Sequence, residues 1–111
     1  KNGDTYLVAV LMNKFASLKE LDLRENNISD EGAECIGIAL EKNTSLKRLD
    51  LQGNDISDKG AKHIGIGLEK NTSLNRLNLE ENNISDEMKT KLYEIWNKNT
   101  KRKESGHIWL Y

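Results

Sequence analysis

Apolar residues recur along this chain at two alternating spacings. The stretch LKELDL, which begins at Leu18, alternates leucines with polar residues around Asp22. Alternation with a period of two is typical of a strand that buries one face. Further along, small and apolar residues recur at spacings of three and four, at Ala33, Ile36, Gly37 and Leu40. That spacing is typical of one face of a helix, so the stretch predicts a strand followed by a helix.

The pattern repeats with a constant period of 28 residues. It starts at Leu18, Leu46 and Leu74, and the first two stretches are identical at 20 of 28 positions. A constant period means that each stretch is one structural unit stacked on its neighbour. We therefore predict one domain over 1–111, made of a helical half-repeat (1–17), three full repeats (18–45, 46–73, 74–101) and a terminal strand or cap (102–111).

Each repeat carries an asparagine shortly after its strand, at Asn26, Asn54 and Asn82. An asparagine between buried apolar positions is costly unless its amide is hydrogen-bonded. We expect these side chains to bond backbone groups of the adjacent repeat and to form a ladder. The helix after each strand is expected to start at an N-cap such as Ser29 or Asp30 and to end at Asn43 in the left-handed conformation. Ala33 and Gly37 should let the first helix lie close to the strands.

The motif L-x-x-L-x-L-x-x-N-x-I, present three times, resembles the leucine-rich repeat of the ribonuclease-inhibitor type. Repeats of that type occur in NOD-like receptors, RanGAP proteins and tropomodulins. The resemblance covers Leu18 to about Thr100. It implies a right-handed, curved α/β solenoid with a parallel sheet on the concave face and helices on the convex face.

Residues between the inward-pointing leucines should face the concave side of the sheet. We call this set the strand face, and it forms three predicted rows across the strands. The first row holds Glu20, Arg48, Arg76 and His107; the second holds Asp22, Asp50, Asn78 and Trp109; the third holds Arg24, Gln52, Glu80 and Tyr111. Tryptophan, tyrosine and arginine are enriched in binding hot spots, so these are the candidate partner-binding residues.

The sequence predicts a protein–protein interaction module that binds a protein partner through the strand face and its C-terminal rim. One alternative is a structural C-terminal cap of a longer repeat array without its own partner. Another is a GTPase-activating regulator of the RanGAP kind, against which the short array and missing acidic tail weigh. Self-association is possible through the open sheet edges or through Ile38 and Ile66. Packing between helices is the alternative role for these two isoleucines.

Composition and charge narrow the class of function. The formal net charge of -1 argues against a nucleic-acid binder, which needs excess positive charge. No stretch approaches the ~20 apolar residues needed to span a bilayer, so no membrane contact is expected. The single cysteine, Cys35, fits a reducing compartment, so we expect a cytoplasmic protein. Because the chain begins at Lys1, we expect it to be part of a longer or processed protein.

The sequence shows no catalytic, metal or cofactor motif. Cys35 aligns with His63 and Lys91 in the later repeats, so it should be partly exposed, and no neighbouring base marks it as a nucleophile. His63 and His107 lack the spacing of metal ligands. The basic run over 98–103, KNTKRK, fits either a targeting signal or residues that complement a helix C-terminus.

Overall fold

Strands and helices alternate along the chain as the repeat pattern predicts. The computed structural model describes residues 17–111, and the half-repeat predicted for 1–17 lies outside this range except for Ser17. The strands within it are β1 (Glu20–Asp22), β2 (Arg48–Asp50), β3 (Arg76–Asn78) and β4 (His107–Trp109). The helices are α1 (Ser29–Lys42), α2 (Asp58–Lys70), α3 (Asp86–Asn97) and α4 (Thr100–Ser105).

The strands form one parallel sheet in the order β1-β2-β3-β4. Equivalent positions of successive repeats are direct neighbours, since Leu21 pairs with Leu49, Leu49 with Leu77 and Leu77 with Ile108. The strand predicted at the C-terminal HIWLY is therefore confirmed as β4. The short helix α4 that precedes it was not predicted, because its six residues carry no apolar stripe.

The core lies between the sheet and the helices. Leu49 and Leu77 are fully buried from the sheet side. From the helix side, the position held by Leu40 in α1 and Leu68 in α2 is held by Trp96 in α3, and all three are at most 1% exposed. The larger indole of Trp96 therefore occupies this buried position in the third repeat.

The predicted asparagine ladder is confirmed at Asn54 and Asn82, whereas Asn26 is exposed and its side chain donates to the carbonyl of Arg24 at 3.0 Å in its own repeat. Asn54 is fully buried, and its Oδ1 accepts the backbone N–H of Asn26 at 2.8 Å and of Ile28 at 3.2 Å. Asn82 repeats the arrangement one turn later, accepting the N–H of Asn54 at 3.0 Å and of Ile56 at 2.9 Å. Each side-chain amide therefore satisfies backbone donors of the preceding repeat that would otherwise be buried without a partner.

The predicted local serine cap is present only in α3 among the three repeat helices described, where the Ser85 hydroxyl accepts the Met88 N–H at 3.2 Å, and it is wrong for α1. Ile28, not Ser29 or Asp30, is the N-cap position of α1, and it makes no side-chain capping bond. Asp30 instead accepts the Ser57 N–H at 2.7 Å and the Gly60 N–H at 3.1 Å, so it caps α2. Burial opposes ionisation of Asp30, but these bonds and that from the Ser57 hydroxyl outweigh it and lower its pKa.

The next repeat uses the same device. Asp58 accepts the Ser85 N–H at 2.7 Å and its hydroxyl at 2.6 Å. These bonds from Ser85 hold the pKa of Asp58 below its usual value. Aspartates at this repeat position therefore link the start of one helix to the start of the next.

Asparagines at the helix ends also bond across repeats. Asn43 has φ -78° and ψ 135°, so the prediction of a left-handed cap is wrong. Its Oδ1 accepts the N–H groups of Ser45 and Leu46, which turns the chain into β2. Asn71 does the same for the next strand, and its Nδ2 also donates to the carbonyls of Leu40 at 2.8 Å and Asn43 at 2.9 Å.

Arg102 takes over this role at the end of the chain. It is 2% exposed and donates to the carbonyls of Leu68 at 3.0 Å and Asn71 at 2.8 Å. These acceptors lie 28 residues after those of Asn71, so the guanidinium makes the bonds that the period would assign to Asn99, whose Oδ1 instead accepts the Arg102 backbone N–H at 3.1 Å. Arg102 Nε also donates to Leu74 O at 2.7 Å, and the group lies over the Trp96 ring. Burial lowers the pKa of Arg102. A targeting role is wrong for this residue of the basic run, because its side chain is inaccessible.

Glycines set the distance between the first two helices. A Cβ added at Gly37 would overlap the backbone carbonyl of His63, and one at Gly67 would overlap that of Gly37. Helices α1 and α2 therefore pack backbone to backbone, and Gly37 serves this contact, not the predicted one with the strands. Between α2 and α3, Ile95 takes the position of Gly67, and a Cβ at Gly65 would meet only side chains.

Ile38 and Ile66 lie on the outer side of the helices. They are 51% and 41% exposed, so packing between helices buries only part of each side chain. Ile66 also lines a shallow groove between α2 and α3, together with Met88 and Ile95. The outer surface therefore carries separate apolar positions, whose role in self-association stays a prediction.

Candidate functional site

The strand register brings the predicted first and second rows of the strand face together. Cα partners across the sheet run from Glu20 through Arg48 and Arg76 to His107. The second row runs in the same way from Asp22 to Trp109. Alternation within each strand sends both rows to the side opposite the leucine core.

The aspartates and the asparagine of the second row accept backbone N–H groups in the turns that end the strands. Asp22 Oδ1 accepts the backbone N–H of Arg24 at 3.1 Å, and Asn78 Oδ1 accepts that of Glu80 at 2.9 Å. Asp50 Oδ1 accepts the Gln52 N–H at 3.1 Å. Asp50 is only 6% exposed, so its predicted availability to a partner is corrected: it serves the turn. Local turns of this kind are the usual role of Asp and Asn at strand ends.

Arg24 lies at the β1 end of the strand face and bonds to aspartates there. Its Nε and Nη2 donate to the Asp22 carboxylate at 2.8–3.1 Å, and its Nε lies 3.7 Å from Asp50 Oδ2. Hydrogen bonding from Arg24 lowers the pKa of Asp22, and the same bond raises the pKa of Arg24. Here the strand face forms an open depression of about 420 Å³, lined by Glu20, Leu21, Asp22, Arg24, Arg48 and Asp50.

Arg48 and Arg76 differ from the other two arginines of the chain. Both are exposed, and within residues 17–111 neither guanidinium makes a hydrogen bond or an ion pair within 4.0 Å. Glu20 faces Arg48 in the register, but their charged atoms do not come within ion-pair distance. By contrast Arg24 is bound by aspartates and Arg102 by carbonyls.

Aromatic side chains lie at the C-terminal end of the first two rows. The His107 and Trp109 rings are 4.2 Å apart between centroids and tilted by 44°. His107 is exposed and Trp109 is partly exposed. The two rings therefore form one aromatic surface next to Arg76.

Tyr111 does not continue the third row as predicted. Its ring lies under Lys89 Nζ of α3, 4.2 Å from the ammonium to the ring centroid, and the residue is 75% exposed. An apolar groove of about 300 Å³ surrounds it at the C-terminal end of the solenoid, lined by Lys89, Thr90, Tyr93, Ile108, Leu110 and Tyr111. The sequence prediction missed this groove, although Tyr93 signals it by breaking the repeat pattern at the position of Gly37 and Gly65.

The sequence predicts no catalytic or metal site. Cys35 is partly exposed, as predicted. Within residues 17–111 no group of three or more His, Cys, Asp or Glu side chains is placed to hold a metal ion. None of the helices in this range is long and apolar enough to cross a membrane.

Strand–helix units of constant period, stacked into one parallel sheet and joined by an asparagine ladder, define an α/β repeat solenoid. The family model described as "Leucine Rich repeat" matches residues 16–37, 42–65 and 70–87, which is more than half of the chain. The chain therefore belongs to the leucine-rich repeat family. Domains of this family are typically binding modules for other proteins and not enzymes.

A solved structure with the same fold is described as the tropomodulin C-terminal domain of Caenorhabditis elegans. The TM-score is 0.76 at 20% sequence identity, and the match covers 96% of this chain and 62% of that chain. At this identity the likeness shows the fold, and the chain spans about three fifths of the length of its relative. No curated protein matches the sequence significantly.

Proposed function

We propose that this chain is a protein-recognition module that binds its partner through the strand face and the adjoining C-terminal rim. The observation that carries the proposal is the strand register, which pairs Arg48 with Arg76 in the first row and Asn78 with Trp109 in the second row of the same face. Arginine and tryptophan are among the residues most enriched in binding hot spots. We further propose that the repeats are of the ribonuclease-inhibitor type, from their 28-residue period, and that the protein works in the cytoplasm.

Rigidity of the sheet supports the proposal. The backbone that carries these side chains is held from both sides, by hydrogen bonds between strands and by the turns at Asp50 and Asn78. A partner would therefore order few main-chain groups on binding, and the entropic cost of association is correspondingly low.

Binding can be tested before the partner is identified. Peptides selected from a random display library against the whole chain would be measured by fluorescence anisotropy. Trp109→Ala should weaken the selected binders by about 1–3 kcal/mol, because it removes the largest side chain of the strand face. Ile66→Ala on the outer side of α2 is the matched control and should leave affinity unchanged. Unchanged affinity for Trp109→Ala, with the circular dichroism spectrum intact, would contradict the proposal.

A structural cap of a longer repeat array is the second candidate. Arg102 favours it, because this residue completes the bonding series of Asn71 with a side chain that needs no further repeat. In that case the selection would yield only binders that tolerate Trp109→Ala. No feature of the described residues specifically favours a GTPase-activating role.

A further inference from the structure

Two adjacent strands carry like charges at directly opposed positions of the strand face. Arg48 of β2 and Arg76 of β3 are Cα partners, and His107 of β4 follows in the same row. Neighbouring strands lie about 4.8 Å apart, and like charges directly opposite each other destabilise a sheet. No carboxylate among residues 17–111 approaches either guanidinium within 4.0 Å.

Nearby carboxylates are already engaged or lie beyond ion-pair distance of the two guanidiniums. Asp22 is held by Arg24, and Asp50 is buried at the turn after β2. Glu20 stands beside Arg48 in the row without forming an ion pair. The positive charge of the row is therefore balanced by no bonded acid of the described chain, and an external carboxylate placed between the arginines would relieve their repulsion.

We propose that the row of Arg48, Arg76 and His107 binds an acidic segment of the protein partner. This inference rests on the proposed function, because the row is part of the strand face. Arginine binds carboxylates through paired N–H donors, and two adjacent guanidiniums suit carboxylates at a similar spacing. On a helix, acidic residues three or four positions apart are about 5–6 Å apart, close to the strand spacing. Trp109 of the second row, whose ring centroid lies 4.2 Å from that of His107, adds an apolar contact.

A protein segment fits this surface better than a nucleic acid. The chain has a formal net charge of -1, and acidic residues flank the row at Glu20 and Glu80. A phosphate backbone would meet these carboxylates along its path, and binding driven by phosphate contacts requires a wider basic surface. A peptide can place its acidic side chains opposite the arginines alone.

The test uses a fluorescein-labelled helical peptide of about 16 residues with glutamates at i and i+4, a length sufficient for partial helicity. Its counterpart carries glutamine in place of each glutamate. Anisotropy titrations with the whole chain should show the glutamate peptide binding at least tenfold more tightly than the glutamine peptide. Added salt should weaken this binding, since the contact is between charges.

Matched variants locate the contact. Arg48→Glu combined with Arg76→Glu should weaken the glutamate peptide at least tenfold, whereas Arg48→Lys with Arg76→Lys should retain part of the affinity. Lys59→Glu with Lys62→Glu, on the exposed side of α2, makes the same change in net charge and should alter affinity less than twofold. Circular dichroism checks that each variant is folded.

The remaining outcomes separate the two proposals. Equal binding of both peptides, lost in Trp109→Ala, would overturn the acidic partner and leave the strand face as a binding surface. An equal loss of affinity in Arg48→Glu/Arg76→Glu and in Lys59→Glu/Lys62→Glu would also overturn the acidic partner. So would an oligothymidylate that binds the same two arginines more tightly than the glutamate peptide does. If neither peptide binds but the library yields binders sensitive to Trp109→Ala, only the acidic partner is overturned. If the library yields no such binder, both proposals fall.

Discussion

Asn54 bonds to backbone groups of two successive repeats. Its amide oxygen accepts from Asn26 and Ile28, and its amide nitrogen donates to the carbonyl of Leu23 and to that of Leu51 in its own repeat. An amide is the side chain of this size that offers both donors and acceptors, so Asp or Leu could not replace it. At the scale of single residues, buried polar side chains thus join the repeats together with the apolar core.

Asn54→Ala should lower the free energy of unfolding by about 1–3 kcal/mol, because it leaves buried backbone groups without partners. Urea denaturation followed by circular dichroism measures this directly. Asn26→Ala is the matched control: Asn26 is exposed, and within residues 17–111 its side chain bonds only to the carbonyl of Arg24, so the change should stay within about 0.5 kcal/mol. Equal effects at both positions would contradict the ladder as a source of stability.

At the scale of elements, the two helix interfaces are built differently. Helices α1 and α2 meet through glycine backbones, and α2 and α3 meet through side chains such as Ile95. The close contact requires glycine for space, although glycine in a helix interior costs about 1 kcal/mol relative to alanine. Close packing of the two backbones compensates for that cost only where both helices carry glycine at the contact.

Gly67→Ala should therefore destabilise the protein by about 1–3 kcal/mol, because the new Cβ would overlap the backbone of Gly37, which cannot move aside alone. Gly65→Ala is the matched variant on the same helix, where a Cβ would meet Ile95 Cδ1 at 3.1 Å and Leu92 Cδ2 at 3.4 Å. Its cost should be at least about 1 kcal/mol smaller, since side-chain tips can shift. Thermal unfolding of both variants provides the comparison. A milder effect at Gly67 than at Gly65 would mean that the helices adjust freely.

At the scale of the whole molecule, the 28-residue period predicted the sheet register and the first two rows of the strand face. A strict period fixes which residues are neighbours across repeats, and Leu49 could be paired with Leu21 and Leu77 from spacing alone. It could not reveal that Asp30 caps the helix of the next repeat, because local capping rules concern one chain segment at a time. The burial of Asp50 escaped prediction for a related reason: alternation gives the direction of a side chain but not its burial.

The 28-residue period did not predict where the side chains of the C-terminal end lie. Arg102 stands in a basic run, where arginine is normally solvated, and only its three-dimensional place beside Trp96 makes it a core residue. Tyr111 left its expected row, since its ring lies under Lys89 Nζ of α3. Periodicity is informative in the interior of a solenoid, and side chains that break it define the terminal repeat.

Arg102→Met should therefore loosen the C-terminal end before the rest of the molecule. The change keeps a long apolar stem but removes the donors to the carbonyls of Leu68, Asn71 and Leu74, and should cost about 2–4 kcal/mol. Lys103→Met, an exposed neighbour in α4, should stay within about 0.5 kcal/mol.

Hydrogen exchange gives the spatial part of this prediction. In a stack, each repeat contacts only its neighbours, so loss of Arg102 should act locally. The amides of His107 and Leu79, which bond between β3 and β4, should exchange faster in Arg102→Met. Those of Leu23 and Leu51, which bond between the earlier strands, should keep most of their protection. A uniform rise in exchange across all four amides would instead mean that the repeats unfold as one cooperative unit.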